Sequence, residues 1–269
     1  MTGDIRTRTG LEGFETLQIS VAENIGTITA NRPEKRNALS KKMLAEIKLV
    51  LDKWQDNPDV GAVVFTGAGQ KAFIAGADIA QLAHYDLQYG LQAHMQKLYD
   101  HIEDYPKPTL AALNGVALGG GLELAMSCDI RIAASTAKMG LPEPTLGVLP
   151  GAGGTQRLTR LVGRGRAMEM ILTSRILTAA QAQHCGLVTE VVDGADLAMT
   201  AAHTAQTILS KGPLAVRLAK MVVAQGADAD QKTGLLLERL AQTLLYSTED
   251  KSEGTAAFLD KRTPEFQGR

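Results

Sequence analysis

The sequence predicts an α/β fold that is followed by a helical C-terminal part. Short β-type runs alternate with helical patterns up to about residue 134, which is typical of strands joined by crossover helices. Past residue 150 helical patterns dominate, with one further strand-like run at 187–192. We therefore expect a core of residues 1–195 and a helical region of residues 196–269, without a flexible linker between them.

The first predicted elements are a β-hairpin and an amphipathic helix. Two β-type runs, 16–21 and 26–30, flank a turn that contains Asn and Gly. Ser40 is suited to cap a helix, because apolar residues recur after it at three- and four-residue spacing over 43–54. Pro58 follows the end of that helix.

The next predicted elements are two buried strands. Residues 60–66 form a nearly continuous apolar run bounded by glycines, as expected of a strand covered on both faces, and 109–113 form a second such run. Between them we expect a loop rich in Gly and Ala over 67–77 and a polar helix over 88–99.

Helical spacing of apolar residues then marks the rest of the chain. The predicted helices are 155–161, 166–172, 178–185, 195–209, 214–225 and 234–246. The segment 235–245 is apolar enough to predict a contact with another subunit.

Composition excludes several classes of function. The net charge is −1 and the pI about 6.5, so nucleic acid is not expected as a partner. No run approaches the ~20 consecutive apolar residues that span a bilayer. Residues 1–15 lack the apolar segment of a secretory signal. These features predict a cytoplasmic protein with no membrane partner.

Common cofactor and nucleophile signatures are absent from the sequence. It contains no GxGxxG after a strand, no GxxxxGK[ST], no HExxH and no GxSxG. The histidines show no ligand spacing with cysteines or carboxylates, so we interpret them as solvated or structural rather than metal-binding. They are His84, His94, His101, His184 and His203.

The segment 114–125, NGVALGGGLELA, is the most informative one. Its glycines lie between a predicted strand and an apolar helix, where they permit close approach of a ligand and leave amides free at a helix N-terminus. Glu123 lies in the first turn, where the helix dipole favours the ionised form, so it is a candidate base. On this segment alone, tight helix packing with Glu123 as a capping carboxylate explains the pattern equally well.

Two further segments carry candidate residues. Glu143 lies between two prolines in an apolar stretch, so we expect desolvation to raise its pKa, although a solvent-facing Glu at a helix start is the alternative. In the segment 71–79, small residues follow a buried strand. Asp78 is suited to cap the next helix, which leaves the Ala77 amide unpaired, although a plain loop also explains this segment.

The motifs AFIAGADI, NGVALGGGLELAMSCDIRIA and GLPEPTLGVLPGAGGTQRL together resemble the crotonase (enoyl-CoA hydratase/isomerase) family. The segments NRP and NAL at 31–39 and FLDKR at 258–262 extend the resemblance over nearly the whole chain. It implies a crotonase-like spiral of ββα units. It also implies a C-terminal helical region that packs on a neighbouring subunit, in a homotrimer or in a homohexamer built as a dimer of trimers.

The resemblance also assigns roles to residues. The amides of Ala77 and Gly120 form an oxyanion hole, and Glu123 and Glu143 are the two catalytic glutamates. The residues expected to contact substrate or its CoA portion are Lys35, Ala38, Leu39, Lys71, Ala75, Gly76, Asp78, Ile79, Gly119 and Lys261. Some relatives have a basic residue where this chain has Ala80, so one phosphate contact differs here.

The implied activity is that of a lyase, hydration of 2-enoyl-CoA in β-oxidation or related acyl-CoA catabolism. Retention of both glutamates favours this reaction over Δ3-Δ2-enoyl-CoA isomerisation, the first alternative. A hydratase for branched or aromatic enoyl-CoA is another, and a non-catalytic oligomer that binds acyl-CoA or RNA is a third. No metal or redox cofactor is expected, since CoA is part of the substrate and carboxyl groups supply the proton transfers.

Overall fold

The strands of this protein come in pairs along the chain. The structure, a computed structural model, describes residues 13–269. Within that range the strands are β1 (Leu17–Ala22), β2 (Ile25–Ala30), β3 (Ala62–Gly67), β4 (Ala72–Ile74), β5 (Thr109–Leu113), β6 (Val116–Leu118), β7 (Ile130–Ala134), β8 (Lys138–Gly140), β9 (Leu177–Thr178) and β10 (Glu190–Val192).

Helices follow most of these pairs. Within the described range they are α1 (Lys41–Trp54), α2 (Ile79–Leu82), α3 (Leu87–Gln92), α4 (His94–Glu103), α5 (Gly120–Ser127), α6 (Gly154–Val162), α7 (Arg164–Leu172), α8 (Ala179–His184), α9 (Leu197–Leu209), α10 (Pro213–Asp228), α11 (Gln231–Tyr246) and α12 (Glu249–Asp260). Short 3-10 helices cover Pro33–Lys35 and Glu143–Leu146.

The paired strands join two different sheets. One sheet has the order β1-β2-β3-β5-β7-β10, and the other has the order β4-β6-β8-β9. The chain passes from β3 to β4, from β5 to β6 and from β7 to β8, crossing each time from the first sheet to the second. Helices lead it directly back to the first sheet after β4 and β6, whereas after β8 it passes through β9 of the second sheet before it reaches β10. Neighbours are parallel except at the β1–β2 hairpin and at the β8–β9 pair. This topology confirms the α/β class and the spiral of ββα units.

Helix α1 covers the start of the first sheet with an apolar face. Ser40 caps it as predicted, since its hydroxyl accepts a hydrogen bond from the Met43 amide at 3.1 Å. Trp54, at the last turn, packs on β2. A Cβ at Gly26 would lie 2.5 Å from its ring, so only glycine fits there. Burying each large side chain of this face contributes about 1.5–3 kcal/mol. These side chains are Met43, Leu44, Ile47, Val50, Leu51 and Trp54.

Two sequence predictions about local structure were wrong. The predicted loop 67–77 contains β4, because a three-residue strand is too short to show an alternating pattern. The predicted helix 88–99 is two helices, α3 and α4, separated by Ala93. That residue has the left-handed conformation, with φ of 49°, which breaks the hydrogen-bond ladder.

The described residues divide into two compact units. One comprises the described residues up to Tyr105 together with Thr109–Ala202, and contains both sheets. The other comprises Pro106–Pro108 and His203–Arg269, and is helical. The division at residue 195 stays a prediction. No helix within residues 13–269 has both the length and the hydropathy needed to cross a membrane, and the predicted absence of a signal segment concerns residues that lie largely outside that range.

Candidate active site

Three parallel strands of the second sheet end at one edge, and each is followed by a candidate residue. Strands β4, β6 and β8 are parallel neighbours. Ala77 follows β4, Gly120 and Glu123 follow β6, and Glu143 follows β8. Ligands of α/β proteins bind beyond the carboxyl ends of parallel strands, where the connecting loops meet. The spiral therefore brings together residues that are far apart in the sequence.

The glycine-rich turn packs directly against the other two loops. Gly119 has φ of 51° and ψ of −128°, and its amide donates to the Gly140 carbonyl at 2.9 Å. A Cβ at Gly119 would lie 2.9 Å from Glu143 Oε1, and one at Gly121 would lie 2.0 Å from the Ile74 carbonyl oxygen. Side chains are excluded at both glycines, so the start of α5 approaches β4 and Glu143 closely.

The two predicted oxyanion-hole amides have no acceptor among residues 13–269. Leu39 forms a parallel bridge to Ala77, in which Leu39 N donates to Gly76 O and Asp78 N donates to Leu39 O, both at 2.8 Å. This pairing leaves the Ala77 amide without an acceptor among residues 13–269. Gly120 is the first residue of α5, so its amide has no acceptor within the helix.

A buried tyrosine, which the sequence reasoning missed, supports this arrangement. Tyr99 of α4 donates its hydroxyl to the Gly120 carbonyl at 2.7 Å, and burial raises the pKa of the phenol well above its ordinary value. A Cβ at Gly76 would lie 3.3 Å from the Leu118 carbonyl oxygen, so the Ala77 loop lies against the end of β6. The only signal in the sequence was a Tyr on the apolar face of a helix, which is an ordinary core pattern.

Glu123 is almost fully buried, and backbone amides hold its carboxyl group. Its Oε1 accepts hydrogen bonds from the amides of Ala152 and Gly154, both at 2.8 Å. Burial nevertheless raises the pKa of Glu123, although both amides and the charge of Arg157 act to lower it. The sequence argument expected the helix dipole to favour the ionised form, and desolvation outweighs that effect.

Glu143 has the unsatisfied oxygen of this site. It begins a 3-10 helix after Pro142, and its Oε2 is buried without a hydrogen-bond partner among residues 13–269. Burial raises the pKa of Glu143 to about 7, with a further contribution from the negative charge of Glu123. The predicted desolvation is confirmed, and the two carboxyl groups are close enough to influence each other.

Arg157 forms ion pairs with two acidic residues of α4. Its Nη2 lies 2.6 Å from Glu103 Oε2 and 2.8 Å from Asp100 Oδ1, both on α4. Its Nη1 donates to the Ala152 carbonyl at 3.0 Å. Arg157 therefore fixes the segment whose amides hold Glu123.

Asparagine side chains fix the loop around β4. Asn37 Nδ2 donates to the carbonyls of Ala68 and Ala72 at 3.0 and 2.9 Å. Asn114 pairs with the backbone of Gly67 in both directions, donating at 2.8 Å and accepting at 3.1 Å. These contacts explain why an asparagine stands at the start of both the NAL and the NGVALGGG segments.

Several predicted CoA contacts meet around Asp78. Its Oδ1 caps α2 as predicted, and its Oδ2 lies 3.0 Å from Arg32 Nη2 and 3.9 Å from Lys35 Nζ. The hydrogen bond from Arg32 lowers the pKa of Asp78, so the carboxylate stays ionised. Arg32 also donates to the Ala38 carbonyl at 2.7 Å, and Ala75 N donates to Arg36 O at 3.1 Å.

A cationic cavity adjoins these residues. It has a volume of about 370 Å³, and its lining includes Arg32, Lys35 and Lys41. Ile79 begins α2 and is exposed, and the Lys71 carbonyl accepts a hydrogen bond from Val116 N at 3.1 Å, which joins β4 to β6. Arg32 is a site candidate that the sequence reasoning had not singled out.

Lys261 belongs to the helical unit. It ends α12 in the left-handed conformation, with φ of 57°. Its contact with CoA therefore stays a prediction.

Comparison with known proteins gives consistent results. Residues 20–269 match a sequence model of the family described as Enoyl-CoA hydratase/isomerase. A probable enoyl-CoA hydratase of Mycobacterium tuberculosis is 44% identical over 256 residues, covering 95% of this chain and 99% of the relative. A crotonyl-CoA hydratase of Syntrophomonas wolfei is 44% identical over 255 residues, covering 94% and 98%. The crystal structure of an enoyl-CoA hydratase from Bacillus anthracis has a TM-score of 0.92 and 41% identity, and covers 95% of this chain and 100% of its own.

Proposed function

The chain belongs to the enoyl-CoA hydratase/isomerase family, and on this basis we propose that it adds water to 2-enoyl-CoA thioesters, giving 3-hydroxyacyl-CoA, with Glu123 and Glu143 as its acid–base pair. We assign these roles because the charge of Glu123 affects the pKa of Glu143, which is about 7. One oxygen of Glu143 is also buried without a hydrogen-bond partner among residues 13–269. The pair lies at the sheet edge that also carries two free amides.

The amides of Ala77 and Gly120 bind the thioester oxygen. Attack of water at Cβ moves the electron pair of the double bond toward the carbonyl, so an enolate forms and its negative charge gathers on that oxygen. Fixed amides stabilise this charge without reorganising, and each donor of this kind contributes about 3 kcal/mol. Both amides are held by backbone pairing and by Tyr99, so they are in place before substrate arrives.

The glutamates divide the two proton transfers. Glu123 keeps Oε1 on two backbone amides, which leaves Oε2 to accept a proton from the attacking water. Glu143, with a pKa of about 7, carries its proton in a large fraction of molecules near neutrality and donates it to Cα. One C–O bond and one C–H bond form on the same face, and proton exchange between the carboxyls and solvent restores the starting state. The proposed reaction requires no metal or redox cofactor.

The cationic cavity beside Asp78 receives the phosphates of CoA. Arg32 and Lys35 carry positive charge there, and the cavity is also lined by Asp78, the residue that directly follows Ala77. Because one similar protein is a crotonyl-CoA hydratase, we take a short, straight acyl chain as the preferred substrate and fatty-acid degradation in the cytoplasm as its setting.

Self-association is part of the same proposal. Helices α10 to α12 of the helical unit expose large apolar side chains, which supports a homotrimer or a pair of trimers. These side chains include Val223, Leu235, Leu240, Leu244, Tyr246 and Phe258. Light scattering on the purified protein measures the assembly, and a monomer at micromolar concentration contradicts this part.

The activity is tested by hydration of crotonyl-CoA. Purified protein is expected to remove the absorbance of the conjugated enoyl thioester, and mass spectrometry is expected to show the addition of one water. The double variant Glu123→Gln, Glu143→Gln is the control for catalysis by a contaminant. Absence of turnover with every straight-chain 2-enoyl-CoA refutes the proposed function, and binding without turnover favours a non-catalytic acyl-CoA-binding protein.

A further inference from the structure

A second cavity lies between α1 and α4, and Lys41 is the one lining residue that it shares with the cavity beside Asp78. Its volume is about 360 Å³, which is within the range of ~300–1,000 Å³ typical of small-molecule sites. Five basic side chains line it: Lys41 and Lys48 from α1, and His94, Lys97 and His101 from α4. Neither catalytic glutamate lines it.

The charge of this cavity is poorly balanced by acidic groups. Within residues 13–269, Asp52 is the one carboxylate paired with these basic side chains. It accepts a hydrogen bond from Lys48 Nζ at 2.7 Å and lies 3.5 Å from His101 Nε2, which is buried and makes no hydrogen bond in the described range. The cavity therefore has three ammonium groups, those of Lys41, Lys48 and Lys97, and one paired carboxylate within the described range, even when both histidines are neutral.

The rest of the lining is apolar and aromatic. Leu44 and Leu98 line the cavity together with the ring of Tyr89. Tyr89 is stacked on Tyr85, with ring centroids 3.6 Å apart, and Lys41 Nζ lies 4.4 Å from the Tyr89 ring centre. The stack and the cation–π contact fix both the aromatic surface and one of the ammonium groups in advance of binding.

We propose that this cavity binds a small organic phosphate, a doubly charged anion that carries a ring or a short apolar group. Three ammonium groups around one space match a dianion better than a single carboxylate, because each can form a charge-assisted contact with phosphate oxygens. The leucines and Tyr89 then cover the organic part. The inference is independent of the enoyl-CoA hydratase activity, since it uses neither the glutamates nor the free amides.

Titration calorimetry of the intact protein with phenyl phosphate tests this inference. We expect saturable binding that is tighter than that of inorganic phosphate, which lacks the ring, and of benzoate, which has a single charge. The double variant Lys48→Gln, Lys97→Gln is expected to bind at least about tenfold more weakly, because two charge-assisted contacts are lost. Lys35→Gln, which changes the other cavity, is the matched control and is expected to bind like the parent.

The histidines provide a readout that does not depend on the variants. Addition of phenyl phosphate is expected to shift the imidazole resonances of His94 and His101, while His84, which lines the cavity beside Asp78, serves as the internal control. No saturable binding by the parent protein overturns the proposal. Binding that shifts the imidazole resonance of His84 alone also overturns it. The same is true of binding that is abolished in Lys35→Gln but unchanged in the double variant.

Discussion

Replacing Glu143 by Gln separates the chemical role of this residue from its energetic cost. The substitution keeps the shape of the side chain and removes its titration. In the parent, the Oε2 atom of this carboxyl group is buried and has no hydrogen-bond partner within residues 13–269, and the pKa of the group is about 7. Loss of a positioned proton donor is expected to lower kcat by about 10²- to 10⁴-fold, with little change in KM because Gln occupies the same volume.

The same substitution has an effect on stability whose sign follows from the pKa. A rise from 4.5 to about 7 means that the folded state holds this proton more tightly than the unfolded state does. The carboxyl therefore contributes stability below the unfolded pKa, and that stability is lost as the pH rises through about 7. Because the side chain is only partly buried and solvent screens its charge, we expect this rise in pKa to correspond to about 1–2 kcal/mol in the free energy of unfolding.

Urea unfolding of parent and variant near pH 4 and near pH 8 measures this difference. The side-chain amide of the variant does not titrate, and Glu123 is present in both proteins. From the lower to the higher pH, the free energy of unfolding of the variant is therefore expected to rise by about 1–2 kcal/mol relative to that of the parent. Hydration of crotonyl-CoA is measured on the same samples. A difference in stability that is the same at both pH values, or turnover equal to that of the parent, refutes the reasoning about this residue.

Three further predictions concern the groups around the catalytic pair. Gly121→Ala is expected to lower the free energy of unfolding by about 1–3 kcal/mol, measured by thermal unfolding, because the new Cβ would lie 2.0 Å from the Ile74 carbonyl oxygen. Gly165→Ala, whose Cβ meets nothing within 4 Å, is the matched control, and an equal loss in both variants contradicts the packing argument. Arg157→Met is expected to lower the free energy of unfolding by about 1–3 kcal/mol and to lower kcat by a larger factor than it changes KM, because the segment that holds the proposed base, Glu123, loses the contacts of Arg157. Unchanged kcat contradicts this link. Tyr99→Phe is expected to cost about 1 kcal/mol in denaturant unfolding and to lower kcat several-fold, and full activity would show that its 2.7 Å hydrogen bond does not position the oxyanion hole.

Features with a local cause were predictable from the sequence. The cap at Ser40 and the cap at Asp78 depend on residues within a few positions, and the structure confirms both. The raised pKa of Glu143 followed from the prolines and apolar residues on either side of it. The spiral itself came from the resemblance of whole motifs, since composition and periodicity indicated only alternating strands and helices.

Features that depend on distant partners were not predictable from local patterns. Strand β4 exists because β6 pairs with it, and its three residues have no strand signal of their own. Tyr99 can donate to the Gly120 carbonyl, within the proposed oxyanion hole, only because α4 lies over the start of α5. The raised pKa of Glu123 is the clearest case, because the dipole of its helix is a local feature, whereas the burial that outweighs it arises from the whole fold.

The arrangement of β4, β6 and β8 has a consequence for how such a protein can diversify. Each strand is followed by its own loop, and each loop carries one part of the proposed reaction centre. Insertions or substitutions after β8 can replace the proposed proton donor, Glu143, while the amides after β4 and β6 that we propose to bind the thioester oxygen keep their positions. One scaffold can thereby acquire a new reaction through change in a single connecting segment.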